Sequence, residues 1–204
     1  MAVVEKSPMQ TEHGRDRILR VAANLFLTKG YAETSLRTIA DAAEMRPASI
    51  YHHFDSKDAL LTEILDIGMH AVTTAFTAAR EELGSEATGR QQLQAHVAGH
   101  LRALFANQAF TAAHVTVFPF APADVRAASV PQRDEYEALW TDMLSHIAPG
   151  LGSDALRLTR LALFGAMNSA VQWFDHTEGS VDDLAATIVD TLWHGLAPRT
   201  GGTS

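Results

Sequence analysis

Residues 36–54 read LRTIADAAEMRPASIYHHF, and this stretch decides the fold class. Apolar side chains recur three and four positions apart in each half of it, which is the period of a helix face. Glu44 and Met45 fall between the halves, where a short turn is expected. Two short helices joined by a tight turn form a helix-turn-helix, whose second helix enters the major groove of DNA. The inner faces are Leu36, Ile39, Ala40 and Ala43 in the first helix, and Ile50 and Phe54 in the second.

The second helix of this pair leaves a set of short polar or planar side chains facing outward. Such groups suit contact with bases and phosphates, whereas carboxylates would be repelled. The helical period alone does not separate this segment from any other small helical hairpin, so that alternative stays open at this point. The outward residues are Arg46, Ala48, Ser49, Tyr51, His52 and His53.

The rest of the chain also follows the helical period, and we find no run of period-two alternation bounded by turn residues. We therefore predict an all-α protein of about nine helices. Gly30 should end the first helix, and we expect Thr34 or Ser35 to cap the second. The other predictions are a third helix starting near Pro47, a fourth after the cap Ser56, a fifth after residues 84–89, a sixth over 109–118, a loop with a turn of helix in it over 119–131, a seventh opened by Pro131, an eighth over 154–175 capped by Ser153, and a ninth over 181–196 capped by Ser180.

The charge is distributed unevenly along the chain. Residues 1–57 carry eight Lys or Arg and seven Asp or Glu, whereas the remainder carries eight basic and seventeen acidic residues. A net charge of −8 argues against DNA binding by the whole surface. The asymmetry indicates that only the N-terminal part meets a polyanion, although chance clustering of charge in a short segment would look the same.

Residues 18–61 resemble the N-terminal domain of the TetR family of transcriptional regulators nearly position for position. The matching pieces are ILRVAANLFLTKGYAETSLRTIADAAEM and SIYHHFDSKDALL. The resemblance implies a sequence-specific DNA-binding regulator, most simply a repressor released by a small-molecule effector. It further implies phosphate contacts by Thr34 or Ser35, Arg37, Tyr51 and Lys57, base reading by Arg46, Ala48, Ser49 and His52, and support or a phosphate contact from His53.

We divide the chain on this basis into four segments. Residues 1–13 are expected to be a disordered arm, 14–57 the DNA-binding domain, 58–197 a helical ligand-binding and dimerisation domain, and 198–204 a disordered tail. Apolar residues of the larger domain are the candidates for an effector pocket. They are Met69, Val72, Phe76, His100, Leu104, Phe105, His114, Phe118, Trp140, Met143, Leu144, Met167 and Val171.

The expected partners follow from the same comparison. A palindromic double-stranded operator read by a homodimer is implied, since one reading helix covers only a few base pairs. The effector is expected to be a small apolar molecule, and the C-terminal part is similar to family members that sense acyl-coenzyme A thioesters. The segment GAMNSAVQWF and the last helix resemble the paired helices of family dimers, which gives the interface candidates Gly165, Ala166, Ser169, Ala170, Trp173, Phe174, Leu192 and Trp193.

Other classes of protein fit the sequence less well. We find no nucleophile elbow, glycine-rich phosphate loop or HExxH motif, so no enzyme activity and no cofactor are predicted. There are no cysteines, no uninterrupted apolar run long enough for a membrane span and no signal peptide, which favours a cytoplasmic protein. His96 and His100 lie four apart, a spacing that suits a metal-sensing regulator, and a helical interaction module that has lost DNA binding is a further alternative.

Overall fold

A computed structural model describes residues 8–84 and 86–196, with side chains over 14–84 and 86–194. Within these ranges the chain is helical and contains no strand, so the predicted fold class is confirmed. The helices are α1 (Pro8–Lys29), α2 (Leu36–Ala42), α3 (Pro47–Tyr51), α4 (Lys57–Glu82), α5 (Gly89–Ala106), α6 (Gln108–Thr116), a short 3-10 helix (Phe118–Phe120), α7 (Ala123–Ile147), α8 (Ser153–Trp173) and α9 (Val181–Leu196).

Helix starts follow the predicted caps in part. The hydroxyls of Ser35, Ser56 and Ser180 each accept a hydrogen bond from a backbone N–H three residues on, as capping requires. Ser153 is not a cap, because α8 begins at that residue and Gly152 holds the N-cap position. α1 begins at Pro8, ahead of the predicted boundary between the arm and the DNA-binding domain at residue 14. The predicted tail at 198–204 and residues 1–7 of the predicted arm lie outside the described residues.

The prediction of a loop containing a turn of helix over residues 119–131 is wrong from residue 123 onward, whereas the short 3-10 helix Phe118–Phe120 provides a turn of helix at its start. α7 starts at Ala123 and passes through Pro131, which does not open a helix but lies inside one. A proline removes one backbone hydrogen bond and crowds the preceding turn, a cost that a long helix can absorb. The flanking ADVRAAS and QRDEYEAL stretches are rich in good helix formers, and these outweigh the local penalty.

The chain divides into two compact units. The first comprises the chain up to Gly68 together with Ala109–Pro131, and the second comprises Met69–Gln108 and the chain from Gln132 onward. The first unit is larger than the predicted segment 14–57, because it also takes the start of α4, all but the first residue of α6 and the start of α7.

The first unit is built on a core shared by α1, α2, α3 and the beginning of α4. Ile18, Ile39, Ile50, Leu61 and Ile64 are each fully buried, one or more from every helix of this group. Each buried aliphatic side chain contributes about 1.5 to 3 kcal/mol relative to an exposed one. This packing fixes the directions of α2 and α3.

α4 and α6 approach each other very closely within the first unit. A Cβ placed on Gly68 would lie 2.8 Å from the carbonyl oxygen of Phe110. His114, on the same face of α6, donates from Nε2 to the Leu65 carbonyl oxygen at 2.7 Å. The crossing therefore requires a glycine at position 68 and is held by a side-chain hydrogen bond.

The turn between α2 and α3 ends α2 in a left-handed residue. Glu44 has a φ of 52°, its N–H donates to the Asp41 carbonyl at 3.1 Å, and the Met45 N–H donates to the Ala40 carbonyl at 2.9 Å. These two bonds form a Schellman motif, which ordinarily places glycine at the left-handed position. The predicted turn at Glu44 and Met45 is confirmed. Its left-handed position is occupied by Glu44, although a Cβ makes this backbone conformation less favourable.

The second unit has an apolar core drawn from α4, α5, α7, α8 and α9. Its centre is Trp140, which is fully buried and packs edge-on against Phe76 and Phe164 at centroid distances of 5.3 and 5.7 Å. α5 is buried along much of its length, and Leu93, Val97 and Leu101 form its inner stripe.

α4 is long enough and apolar enough to cross a membrane by length and composition alone. Of its most apolar window, 44% is buried inside the protein, and a core helix commonly has these properties. Leu60, Leu61, Ile64 and Leu65 enter the first core, and Met69, Val72 and Phe76 enter the second, which accounts for its apolar character.

We predict that Glu44→Gly raises the free energy of unfolding by about 0.5 to 1 kcal/mol, because a left-handed backbone costs an L-residue about 1 to 2 kcal/mol. The substitution also removes an exposed ion pair with Arg17 at 2.9 Å, which offsets part of the gain. Urea unfolding followed by circular dichroism measures the change. Glu44→Gln is the control, since it removes the charge and keeps the strained Cβ; a glycine variant less stable than the glutamine variant would contradict the prediction.

Candidate DNA-binding surface and sensor core

α3 presents one face to solvent and the other to the first core. Ile50 is fully buried, whereas Arg46, Ala48 and His52 are exposed and Tyr51 keeps 60% of its surface. Pro47 occupies the first turn, where its missing N–H costs nothing, and Arg46 is the N-cap residue without a side-chain capping bond. Arg46 is therefore exposed at the start of α3. In a helix-turn-helix, residues at the start of the second helix meet base edges.

The two neighbouring histidines have different surroundings, as their angular separation on a helix requires. His52 is exposed, and His53 is half-buried. A Cβ placed on Gly14 would lie 3.7 Å from Nε2 of His53, so the His53 ring leans toward α1. This placement favours the supporting role that the sequence left open for His53.

The start of α2 distinguishes between the alternative phosphate contacts Thr34 and Ser35. The Thr34 side chain is only 1% exposed, and its hydroxyl donates to the Gly30 carbonyl at 2.8 Å. Ser35 is exposed at the N-cap of α2, and Arg37 is exposed two residues later. Thr34 is therefore not available at the surface for the predicted phosphate contact, whereas Ser35 and Arg37 are.

Lys57 has intramolecular partners that the sequence did not reveal. Its Nζ donates to the carbonyl oxygens of Tyr31 and Thr34 at 2.8 and 2.9 Å, and it lies 4.1 Å from the centre of the Tyr31 ring. The Tyr31 hydroxyl donates in turn to Asp58, and burial raises the pKa of Tyr31. We call Tyr31, Lys57 and Asp58 the α4 clasp, because it ties the start of α4 to the loop before α2.

A second tie joins α4 to α1. Arg15 forms an ion pair with Glu63 through both guanidinium nitrogens, and its guanidinium carbon lies 5.0 Å from the Phe54 ring centre. A sequence pattern predicts neither this pair nor the α4 clasp, because the partners are 23 or more residues apart.

The second core holds a polar network around His100. Its Nδ1 lies 2.7 Å from the Tyr136 hydroxyl, and its Nε2 lies 3.1 Å from Oδ1 of Asn168. Since Oδ1 is only an acceptor, Nε2 carries the proton and Nδ1 accepts from Tyr136. Burial lowers the pKa of His100 to about 4, so the ring is neutral at pH 7 and both nitrogens are satisfied.

This network argues against the metal-sensing alternative. His100 has no lone pair left for a cation, and among the described residues no group of three His, Cys, Asp or Glu side chains is placed to hold a metal ion. His96 lies one turn earlier on α5 and is 97% buried between apolar groups.

Most of the predicted pocket residues lie together in the second unit. Two do not, because His114 and Phe118 belong to the first unit, where α6 packs on α4. The sequence missed Tyr136, Phe164 and Asn168, which surround His100. The remaining predicted residues are all in the second unit, namely Met69, Val72, Phe76, His100, Leu104, Phe105, Trp140, Met143, Leu144, Met167 and Val171.

An open groove of about 1250 Å³ runs along α5 in the second unit. Its lining includes small residues such as Ala75, Ala98 and Gly99, together with Arg90 and Arg102. Both arginines are paired, with Asp190 and Asp182 respectively. None of the predicted pocket residues lines this groove.

The predicted interface residues on α8 and α9 divide by exposure. Gly165 and Trp173 are exposed, with Trp173 keeping 60% of its surface. Ala170 is fully buried in the second core, so it cannot contact a partner. The sequence missed Leu158 and Leu161, which are 57% and 47% exposed. The other candidates, Ala166, Ser169, Phe174, Leu192 and Trp193, are half-buried.

Two family profiles match the chain. The N-terminal domain described as bacterial regulatory proteins of the TetR family matches residues 18–64, and a tetracyclin repressor-like C-terminal domain matches residues 86–196. Together they span α3, the α4 clasp and most of the second unit.

The chain is also similar to individual proteins. The transcriptional repressor KstR2 of Rhodococcus jostii is 32% identical over 131 residues, which cover 64% of this chain and 63% of the relative. A TetR-family regulator from Bordetella parapertussis has a similar structure, with a TM-score of 0.75, 27% identity and coverage of 86% and 92% of the two chains. AibR, in complex with isovaleryl coenzyme A and operator DNA, shares the fold at a TM-score of 0.71 and 19% identity, covering 87% and 97%.

We predict that Lys57→Met lowers the free energy of unfolding by about 1 to 2 kcal/mol, because two hydrogen bonds from a charged donor and a cation–π contact are lost. Thermal and urea unfolding measure this. Arg37→Met is the matched control, since Arg37 is exposed and its loss should leave stability within about 0.5 kcal/mol. Equal effects of the two substitutions would show that the clasp contributes nothing.

Proposed function

The chain belongs to the TetR family of bacterial regulatory proteins, and from that premise we propose that it is a sequence-specific DNA-binding transcriptional repressor. The observation that carries the proposal is the exposed face of α3, where Arg46, Ala48, Tyr51 and His52 are open to solvent above a fully buried Ile50. The similarity to a curated repressor supports it, although the matched region spans 63% of that relative. An enzyme is not the expected class for this family.

The contacts with DNA divide into reading and positioning groups. Arg46 suits guanine, whose N7 and O6 accept both guanidinium donors, while the Ala48 methyl suits the methyl of thymine, and Ser49 and His52 can meet either base edges or phosphate. Positioning falls to Ser35, Arg37 and Tyr51, which are exposed around the reading helix. His53 supports the helix from the side of α1.

Lys57 takes a positioning role of a different kind. Two of its three donors are used inside the protein, on the loop that leads into Ser35. The remaining donor and the full positive charge are still available to a phosphate near the start of α4. Lys57 thus both shapes the phosphate-binding loop and adds charge to it.

We propose further that the second unit senses a small apolar effector whose binding releases the operator. Its core is apolar apart from the histidine network, and α4 contributes side chains to this core as well as to the first. An effector that favours one arrangement of α4 would oppose DNA binding, and DNA would oppose the effector equally. The acyl-coenzyme A class is one candidate, supported by the ligand of AibR, a relative in fold.

A homodimer on a palindromic operator is the proposed assembly, and the cytoplasm, where the DNA lies, is the proposed location. α8 carries a stripe of exposed residues at helical spacing, made of Leu158, Leu161, Gly165 and Trp173. Exposed large apolar groups beside a glycine favour close helix packing against a second copy. Two reading helices could then meet half-sites about 34 Å apart.

Selection of bound sequences from random duplex DNA tests the proposed function. We expect an inverted repeat to be enriched, with half-sites separated by about one helical turn or a multiple of it. Arg46→Ala should lose preference at one position of each half-site, at a cost of about 1 to 3 kcal/mol. Arg37→Ala is the matched variant and should weaken all sequences alike; no enriched motif with the wild-type chain would refute the proposal.

For the assembly, we predict that Leu161→Glu converts a dimer to a monomer, because it places an unpaired carboxylate in an apolar contact. Sedimentation velocity at micromolar concentration gives the mass. The control is Asp154→Glu, a conservative change at an exposed site in the first turn of α8. A wild-type chain that sediments as a monomer would rule out this interface.

A further inference from the structure

His96 is a buried histidine with one nitrogen left without a partner. Its side chain is 3% exposed, and its Nδ1 lies 2.7 Å from the Gln92 carbonyl oxygen. Because that oxygen only accepts, Nδ1 carries the proton and Nε2 bears a free lone pair. Nε2 is fully shielded from solvent and has no hydrogen-bond partner among the described side chains.

The surroundings of the His96 ring are mainly aromatic and apolar, and the positive charge of Arg80 also acts on it. The His96 ring centre lies 4.2 Å from that of Phe76 and 6.2 Å from that of Trp140, and Leu93 and Val97 are buried beside it in sequence. Burial is the main cause that lowers the pKa of His96, so the ring stays neutral at pH 7 and cannot resolve the mismatch by taking a second proton.

His100 provides the contrast within the same core. It lies one turn along α5, and Tyr136 and Asn168 satisfy both of its nitrogens. A buried acceptor without a donor destabilises the folded state, whereas an apolar side chain of similar shape at position 96 would not. The stability of the folded protein therefore explains why a histidine occupies position 100. It does not explain why a histidine occupies position 96.

We propose that Nε2 of His96 is the acceptor for an O–H or N–H donor on the effector. This inference rests on the proposed effector-responsive function and narrows the effector chemistry. Phe76 and Trp140 would flank an apolar body, and one donor group would point at Nε2. A carboxylate or a thioester carbonyl offers only lone pairs, so neither can be the group at this position.

The core around His96 is closed, with Phe76 at 3% and Trp140 at 0% exposure. Binding therefore has to move at least one of these side chains. Phe76 lies on α4, so an effector seated against His96 acts directly on that helix. The hydrogen bond from the effector to His96 and the displacement of Phe76 would take place at the same point in the core. Recognition of the effector is thereby linked to the response of α4.

Two substitutions at neighbouring histidines give opposite expected results. His96→Phe or His96→Leu should raise the melting temperature by about 2 to 6 °C, because an unsatisfied acceptor is replaced by an apolar group. His100→Phe should lower it by a similar amount, because the Tyr136 and Asn168 partners are left unsatisfied. If both His96 variants are destabilised as His100→Phe is, Nε2 is satisfied in the free protein and the proposal fails.

The direct test uses the wild-type chain with 15N-labelled histidine and no DNA. Cyclohexanol, 4-tert-butylphenol and 2-naphthol are each titrated against their methyl ethers, which have the same body without the donor. We expect at least one alcohol or phenol to shift the His96 Nε2 resonance in the direction of hydrogen bonding, and its ether to leave that resonance in place. No such shift with any pair, or equal shifts with both members, would overturn the proposal.

The proposed DNA-binding function and the proposed effector chemistry can be tested separately. Operator selection with the unliganded wild-type chain reports on DNA binding and does not involve His96 Nε2. A chain that selects an operator but shows no donor-dependent shift would keep the proposed repressor function and lose the effector chemistry.

Discussion

The continuity of α4 is the constraint on which the rest of the structure depends. One helix of 26 residues supplies buried side chains to both cores, first Leu60 to Leu65 and then Met69, Val72 and Phe76. Between these groups lies Gly68, where the carbonyl of Phe110 leaves no room for a Cβ. A residue other than glycine there would have to separate α4 from α6. α4 is thus a single uninterrupted helix that belongs to both cores.

Short, specific contacts tie the start of α4 to α1 and to the loop before α2. The α4 clasp joins Lys57 and Asp58 to the loop that ends at Ser35, and Arg15 joins Glu63 to α1. In the turn before α3, Glu44 adopts a left-handed backbone conformation. This conformation sets the direction of α3 relative to α2. Local strain of this kind persists only where surrounding packing determines the backbone, here the fully buried Ile39, Ala40 and Ile50.

Much of the first unit could be predicted from the sequence, because its signals are local. The caps at Ser35 and Ser56, the left-handed Gly30 and the turn at Glu44 each depend on residues within a few positions of one another.

The roles of Thr34 and Lys57 could not be predicted in this way. Thr34 lies in the segment between α1 and α2, and its burial follows from tertiary packing. Lys57 has its carbonyl partners more than twenty residues away along the chain. Pro131 predicts a helix start from the sequence, but the helix formers on both sides of it continue the helix through this residue. In the second unit, the helical period of the sequence identifies apolar positions but does not show which side chains contact one another. The contacts of Tyr136, Phe164 and Asn168 with His100 are therefore seen only in the structure.

The central claim is that the exposed face of α3 reads a particular DNA sequence. Fluorescence anisotropy with the selected operator and with a scrambled duplex of the same length and composition tests it most directly, at two salt concentrations. We expect the operator to bind at least about 10³-fold more tightly, and both affinities to fall as salt rises because phosphate contacts release counterions. Equal affinity for the two duplexes would contradict the account, whatever the strength of binding.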